Sequence, residues 1–320
     1  NHYETKGLRP NNDVEKDLAG AFAQVALSPF TSIQAEYRYR DVTHGDIALN
    51  WDPEDYSENR QVSRRENIPR LGIRHSLNAQ HHFIGSLIYN QTDYALDDQT
   101  EAGPGPMGPV VVTESREEDG DAYNVEGQYL YRSHGLNIVA GAGHIDADND
   151  GMASVLGTSG PLVLFDQEIP VDNQLRHTNG YAYAYLEPHP AFNLTAGLSA
   201  DDLDNESIDE QQFNPKLGIS WQPTAALTLR GAAFRTLKRN LVTNQTIEPT
   251  QIEGFTQFFD DPFATDAKRH GLGLDYRILD NLSFGTETTF NDLPRPITDI
   301  VSGATLDEDY EEYHHRSFLY

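Results

Sequence analysis

The chain has 320 residues, a formal net charge of -27 at pH 7, no cysteine and a mean hydropathy of -0.59. The missing Cys removes a disulfide framework, a cysteine zinc site and a thiol nucleophile, and the acidity argues against nucleic acid as a partner, since phosphate binding needs a basic surface. The longest apolar runs, Val110-Val111-Val112 and Leu162-Val163-Leu164-Phe165, fall far short of the roughly 20 residues of a membrane helix.

In chain order, the sequence predicts twelve strands near 17–27, 32–42, 67–77, 81–93, 121–132, 136–146, 177–187, 192–201, 213–221, 226–236, 267–277 and 282–290. A thirteenth begins near Glu311 and still runs at Tyr320. The period of two is clearest from Tyr123 to Arg132, where Tyr123, Val125, Gly127, Tyr129 and Tyr131 alternate with Asn124, Glu126, Gln128 and Arg132. It recurs in Phe192–Asp201 and Phe213–Trp221, and such alternation marks strands rather than helices. Strands are expected to meet in pairs across short turns at 28–31, 78–80, 133–135, 188–191, 222–225 and 279–281. Pro, Gly, Asn and Asp supply the turn geometry there.

Polar, acidic stretches near 43–66, 94–120, 147–176, 202–212, 237–266 and 291–310 separate these hairpins and are expected as long loops. The run Gly103-Pro104-Gly105-Pro106-Met107-Gly108-Pro109 is read as neither strand nor helix. Short turns at one end and long loops at the other are the mark of an outer-membrane β-barrel. In such a barrel every second residue faces the lumen, so low mean hydropathy is no obstacle. Tyr37, Tyr39, Tyr89, Tyr129, Tyr131, Trp221, Phe284 and Phe290 sit at strand ends, as interfacial girdles require. The expected fold is all-β: a transmembrane antiparallel up-and-down barrel forming one domain over 1–320, and partial, with about 12–13 strands of a larger barrel. With the short turns in the periplasm, residues 1–16 would lie outside the cell and the strand count would be odd. A fragment with at least one strand upstream, and more chain downstream, is therefore expected.

Under this register the lumen face presents Glu36, Arg38, Arg40, Arg70, Arg74, Glu126, Lys216, Arg230 and Glu287. Mixed charge there can tune solute passage, hold a plug, or pair across the wall. Asp146, Asp148 and Asp150, followed by Gly151, have the opening spacing of a calcium loop, although Gly157 stands where the closing Glu belongs. They are candidate ligands for Ca2+ or another divalent ion, against a solvated acidic loop; no other cofactor is expected. His81-His82 and His314-His315 would point to opposite faces of a strand and cannot chelate as pairs. Asp201, Asp202, Asp260 and Ser199 are available for catalysis, yet no nucleophile elbow or paired motif accompanies them, and no enzyme is expected.

Asn214-Pro215-Lys216-Leu217-Gly218-Ile219-Ser220-Trp221-Gln222-Pro223, followed by Leu227-Thr228-Leu229-Arg230-Gly231-Ala232-Ala233-Phe234-Arg235, resembles the barrel of TonB-dependent receptors. Ile247-Glu248-Pro249-Thr250-Gln251-Ile252-Glu253-Gly254-Phe255 resembles the Glu-containing segment leading into the next receptor strand. The resemblance implies a bacterial outer-membrane receptor that takes up a ligand by binding and gated passage. Its partners would be outer-membrane lipid and, outside this chain, a plug and TonB. The same stretch also resembles the barrel part of tetratricopeptide-repeat outer-membrane proteins, which implies export or envelope assembly with a periplasmic repeat domain. A passive porin is the further alternative; a soluble β-sandwich or propeller would need the apolar faces to pack on a second sheet.

Overall fold

A computed structural model describes residues 1–48, 52, 55–258, 260–298 and 305–320. Parts of the stretches near 43–66, 237–266 and 291–310 (residues 49–51, 53–54, 259 and 299–304) lie outside the described residues. Eleven strands come first: β1 (His2–Thr5), β2 (Val14–Ser28), β3 (Thr31–His44), β4 (Gln61–Ser76), β5 (His81–Gly105), β6 (Gly108–Ser133), β7 (Leu136–Ser159), β8 (Leu162–His189), β9 (Phe192–Asn205), β10 (Ile208–Thr224) and β11 (Leu227–Leu237). A two-residue pair follows, β12 (Gln251–Ile252) and β13 (Phe255–Thr256), and then β14 (Asp266–Leu279) and β15 (Leu282–Asp292). The short β16 (Arg295–Thr298) and β17 (Thr305–Glu308) pair with each other, and β18 is Glu311–Leu319.

β1 to β11, β14, β15 and β18 form one 14-stranded antiparallel sheet, each strand beside its predecessor in that order. Such a meander needs only local reversals, and the chain reverses at Pro29-Phe30, 77–80, His134-Gly135, Pro190-Ala191, Ala225-Ala226 and Asp280-Asn281. Gly135 stands at φ +72, a conformation that a Cβ would strain.

The other end differs from the expected loops. β5 and β6 stay paired to Gly105–Gly108, β7 and β8 to Ser159–Leu162, and β9 and β10 to Asn205–Ile208. Residues 94–120, 147–176 and 202–212 are therefore mainly tall hairpins. The Gly-Pro run is strand on both sides of a Pro106-Met107 tip. Its prolines tolerate this because Pro104 faces Pro109 beside a register shift, where the ladder takes no donor from either. Residues 2–5, within the 1–16 expected outside the cell, form a short strand that pairs with Val14–Asp17 of β2.

The sheet has two unlike faces. On one, Val125, Phe213, Leu217, Ile219 and Leu272 stay exposed. A contiguous apolar surface of that kind is foreign to a water-facing wall. Its edge is marked by aromatics: Phe192 stacks on Trp221 at 5.7 Å, and Phe83 and His81 lie against Tyr129 near the short turns. On β6 the outer face runs from Tyr131 to Tyr123, about 26 Å along the strand at ~3.3 Å per residue. The usual tilt reduces this to about 20 Å, close to the apolar band of a membrane barrel. The opposite face is polar, and the chain between β11 and β14 folds onto it.

Candidate functional site

The described residues of 238–265 (238–258 and 260–265), here called the strap, lie against the polar face instead of projecting as a loop. The strap carries polar anchors and buried apolar residues that a solvated loop would not keep, Ile252 and Phe255 the largest of them at the wall's centre. Glycine on the wall makes room for rings: a Cβ at Gly271 would sit 2.4 Å from Phe255, and one at Gly197 2.7 Å from Tyr183.

At its centre Arg239, itself buried, donates from Nη2 to Glu248 Oε2 at 2.7 Å and from Nη1 to Asp201 Oδ1 at 3.5 Å. Phe258 lies beneath the guanidinium at 5.3 Å. The wall completes both carboxylates. Asp201 meets His177 Nε2 at 2.9 Å and accepts from Asn214 Nδ2 at 2.7 Å. Glu248 accepts from Tyr183 OH at 2.7 Å and Asn179 Nδ2 at 3.1 Å. Burial works against the Arg239 charge, but Glu248 and Asp201 outweigh it and hold the guanidinium protonated more firmly than a free Arg. Buried charge of this kind persists only when paired and hydrogen-bonded.

The strap is pinned along its length. Ile247 N–H donates to Glu126 Oε2 at 3.2 Å, Thr246 Oγ1 donates to the same carboxylate, and Gln128 Nε2 donates to Ile247 O. Arg70 Nη2 donates to Gln245 Oε1. Thr195 Oγ1 donates to Glu253 Oε1 at 2.7 Å, and Arg230 Nη1 to Glu253 O at 3.1 Å. One short segment thus touches β4, β6, β8, β9 and β11, which ties the middle of the sheet into one unit.

The ladder places Glu36, Arg38, Arg40, Arg70, Arg74, Glu126, Lys216, Arg230 and Glu287 on this polar face. Arg70, Glu126 and Arg230 hold the strap. Lys216 is buried beneath it and donates to Arg235 O at 3.2 Å. Glu287 joins Arg230 and Arg316 at 3.4 and 2.9 Å. Glu36, Arg38 and Arg40 lie further along the wall, and Arg74 stays exposed. Sequence reading did not single out Arg239, His177, Asn179 or Tyr183. The available signal was Ile252 and Phe255 embedded in a stretch otherwise read as a polar loop.

Asp146, Asp148 and Asp150 stand on β7, on the opposite, outer face. Side chains two apart on a strand project in parallel about 6–7 Å from one another, so these three do not converge on one ion. Among the described residues, three potential ligands come together only at His2, Glu15 and Asp17, all exposed. The His pairs split between faces: His81 meets Tyr129 OH at 2.6 Å, while His82 meets Ser76 Oγ at 2.8 Å. His177 and Ser199 each reach Asp201, but Ser199 donates to that carboxylate, at 3.5 Å. That arrangement orients a carboxylate rather than activating a hydroxyl.

Residues 3–246 match the family described as TonB dependent receptor-like, beta-barrel. No curated protein sequence matches the chain. Among solved structures, the fold is similar to the ferripyoverdine receptor of the outer membrane of Pseudomonas aeruginosa, at TM-score 0.72 and 10% identity, over 99% of this chain and 48% of that one. It is also similar to the siderophore receptor PiuA from Acinetobacter baumannii (TM-score 0.58, 14% identity, 96% and 61% coverage). The ferric yersiniabactin uptake receptor FyuA from Yersinia pestis gives TM-score 0.62 at 10% identity, with 91% and 48% coverage. The chain spans about half the length of the receptors it matches.

Proposed function

Because this chain belongs to the TonB-dependent receptor-like β-barrel family, we propose that it is barrel wall of an outer-membrane receptor that takes up a ligand by binding and gated passage. Members of that family are transporters and not enzymes. The observation that carries the reading is the two-faced wall: an apolar outer band between aromatic edges, and a polar inner face on which the strap narrows the way through. Lipid contacts the band, the short turns point to the periplasm, and the tall acidic hairpins face outward to meet ligand. A plug and TonB would supply closure and energy from outside this chain.

The test is made on intact cells with the full-length protein. A cysteine at Glu117 is expected to react with an impermeant thiol reagent, whereas one at Asn78 is not; the reverse pattern would sink the topology. Uptake that persists after TonB is removed would replace the energised receptor with a passive porin. Wild-type uptake without the protein, coupled to a secretion or envelope defect, would favour the export reading.

A further inference from the structure

A second inner-face feature lies apart from the strap's ion pairs. Between β2–β5 and strap residues 241–244 is a cavity of about 710 Å³, within the range of small-molecule sites. Arg38, Arg40, Arg64, Glu66, Asn90 and Thr243 are on its wall.

Its charge runs against that of the chain. Glu66 is shared by Arg40 at 3.1 Å and Arg64 at 3.0 Å, and Glu36 by Arg38 at 2.5 Å and Arg70 at 3.0 Å. On the cavity wall itself Arg38, Arg40 and Arg64 stand against the one carboxylate of Glu66, and Glu36 and Arg70 lie off that wall. The lining side chains thus carry a surplus of two positive charges in a protein of net charge -27. Arg38, Arg40 and Arg64 are each about half exposed, with 49%, 45% and 50% of the side chain accessible. They therefore keep donors free beyond their Glu contacts.

Two further observations point to a polar occupant. Asn90 Oδ1 and Thr243 Oγ1 are buried without a hydrogen-bond partner, although buried oxygens are normally satisfied. Thr243 also holds φ +60 and Asn244 φ +55. A β-branched residue in that region is strained, and such strain collects where a ligand or switch compensates it.

We propose that this cavity binds a polyhydroxylated dianion, its charge on the Arg38, Arg40 and Arg64 forks and its hydroxyls on Asn90 and Thr243. Carboxylate and phosphate both suit a guanidinium fork, so a sugar diacid and a sugar phosphate share this chemistry. The proposal rests on the receptor reading above and names the substrate class of its inner face.

Binding is measured by calorimetry on the full-length protein in detergent, with no uptake step. The probes are galactarate, glucose 6-phosphate, adipate (a dianion without hydroxyls) and galactitol (hydroxyls without charge). At least one of the first two is expected to bind, and which is tighter identifies the charged group. Adipate should bind more weakly and galactitol not at all. Arg40→Gln with Arg64→Gln should weaken the better probe about tenfold or more, and raised salt should weaken it too. Glu66→Gln should move affinity the other way, a gain no misfolded variant gives. Thr243→Ala should narrow the gap between galactarate and adipate.

Binding of neither dianion, equal binding of galactitol, or indifference to the Arg substitutions would overturn the proposal. Uptake in cells alongside any of these leaves the receptor reading standing. Dianion binding by a protein absent from the outer membrane would instead defeat that reading and keep the site.

Discussion

Along β6 the outer face changes character at one position. From Tyr131 to Tyr123 it presents Tyr131, Tyr129, Gly127, Val125 and Tyr123; beyond that come Asp121, Asp119 and Glu117. Backbone pairing continues unbroken through the change, so the ladder itself does not distinguish the two regions. In the lower region the outer face is apolar and the inner face is covered by the strap. In the upper region both faces are polar, and like charges stand opposite one another, Asp121 across from Asp148 and Asp119 across from Asp150. The hydrogen-bonded sheet supplies the frame in both, and side chains fit each part to a different medium.

The largest expected effect tests the inner half of the lower region. Arg239→Met leaves Asp201 and Glu248 buried without their cation, and breaking such a pair should cost about 3–5 kcal/mol. Denaturant unfolding from lipid vesicles checks this; a loss under about 1 kcal/mol would mean the strap is not anchored there. The boundary on β6 is tested next. Val125→Arg in the apolar band should cost about 2–4 kcal/mol, whereas Glu117→Arg above it should stay within about 0.5 kcal/mol. Equal costs would erase the division between the two regions.

A more local effect concerns the upper end, where Asp46 organises the chain between β3 and β4. Its carboxylate accepts from Ser57 N–H at 2.8 Å and Ala48 N–H at 3.1 Å, and Arg9 reaches it at 3.4 Å. Burial favours the neutral acid, but those N–H groups and the Arg9 and Arg60 charges prevail and hold the carboxyl below its ordinary value. A depressed folded pKa stabilises this end at pH above the unfolded value of about 3.9 and ceases to do so as pH falls through the folded value. Hydrogen exchange at Ser57, corrected for intrinsic rates, should therefore accelerate on acidification in the parent and stay flat in Asp46→Asn. The smallest effect comes from the facing acids: Asp119→Asn with Asp150→Asn should stabilise the hairpin by about 0.2–1 kcal/mol. The gain should shrink at high salt; a loss would mean that the carboxylates have a partner.

The all-β up-and-down fold was legible because alternation is a local property of an extended chain. Tyr123, Val125 and Tyr129 declare one face and Glu126 and Gln128 the other without reference to any neighbour. The height of the hairpins was not legible. Acidic residues at 114–119 and 148–150 read as loop by composition, while pairing between two such stretches makes strand. The calcium-like spacing at Asp146 failed to predict a cluster for the same reason: in a strand the interval that gathers ligands in a loop spreads them apart.

The sequence by itself determined the strands below the tall hairpins, their alternation and the resemblance to the receptor barrel, since each resides in short stretches of neighbouring residues. Only the tertiary structure decided that the strap turns inward and which charges it meets. Arg239 and Asp201 are 38 residues apart, and Thr246 and Glu126 are 120 apart. No local pattern encodes such contacts; they exist because curling the sheet brings β6, β8 and β9 around one segment, whose buried charges must find partners there.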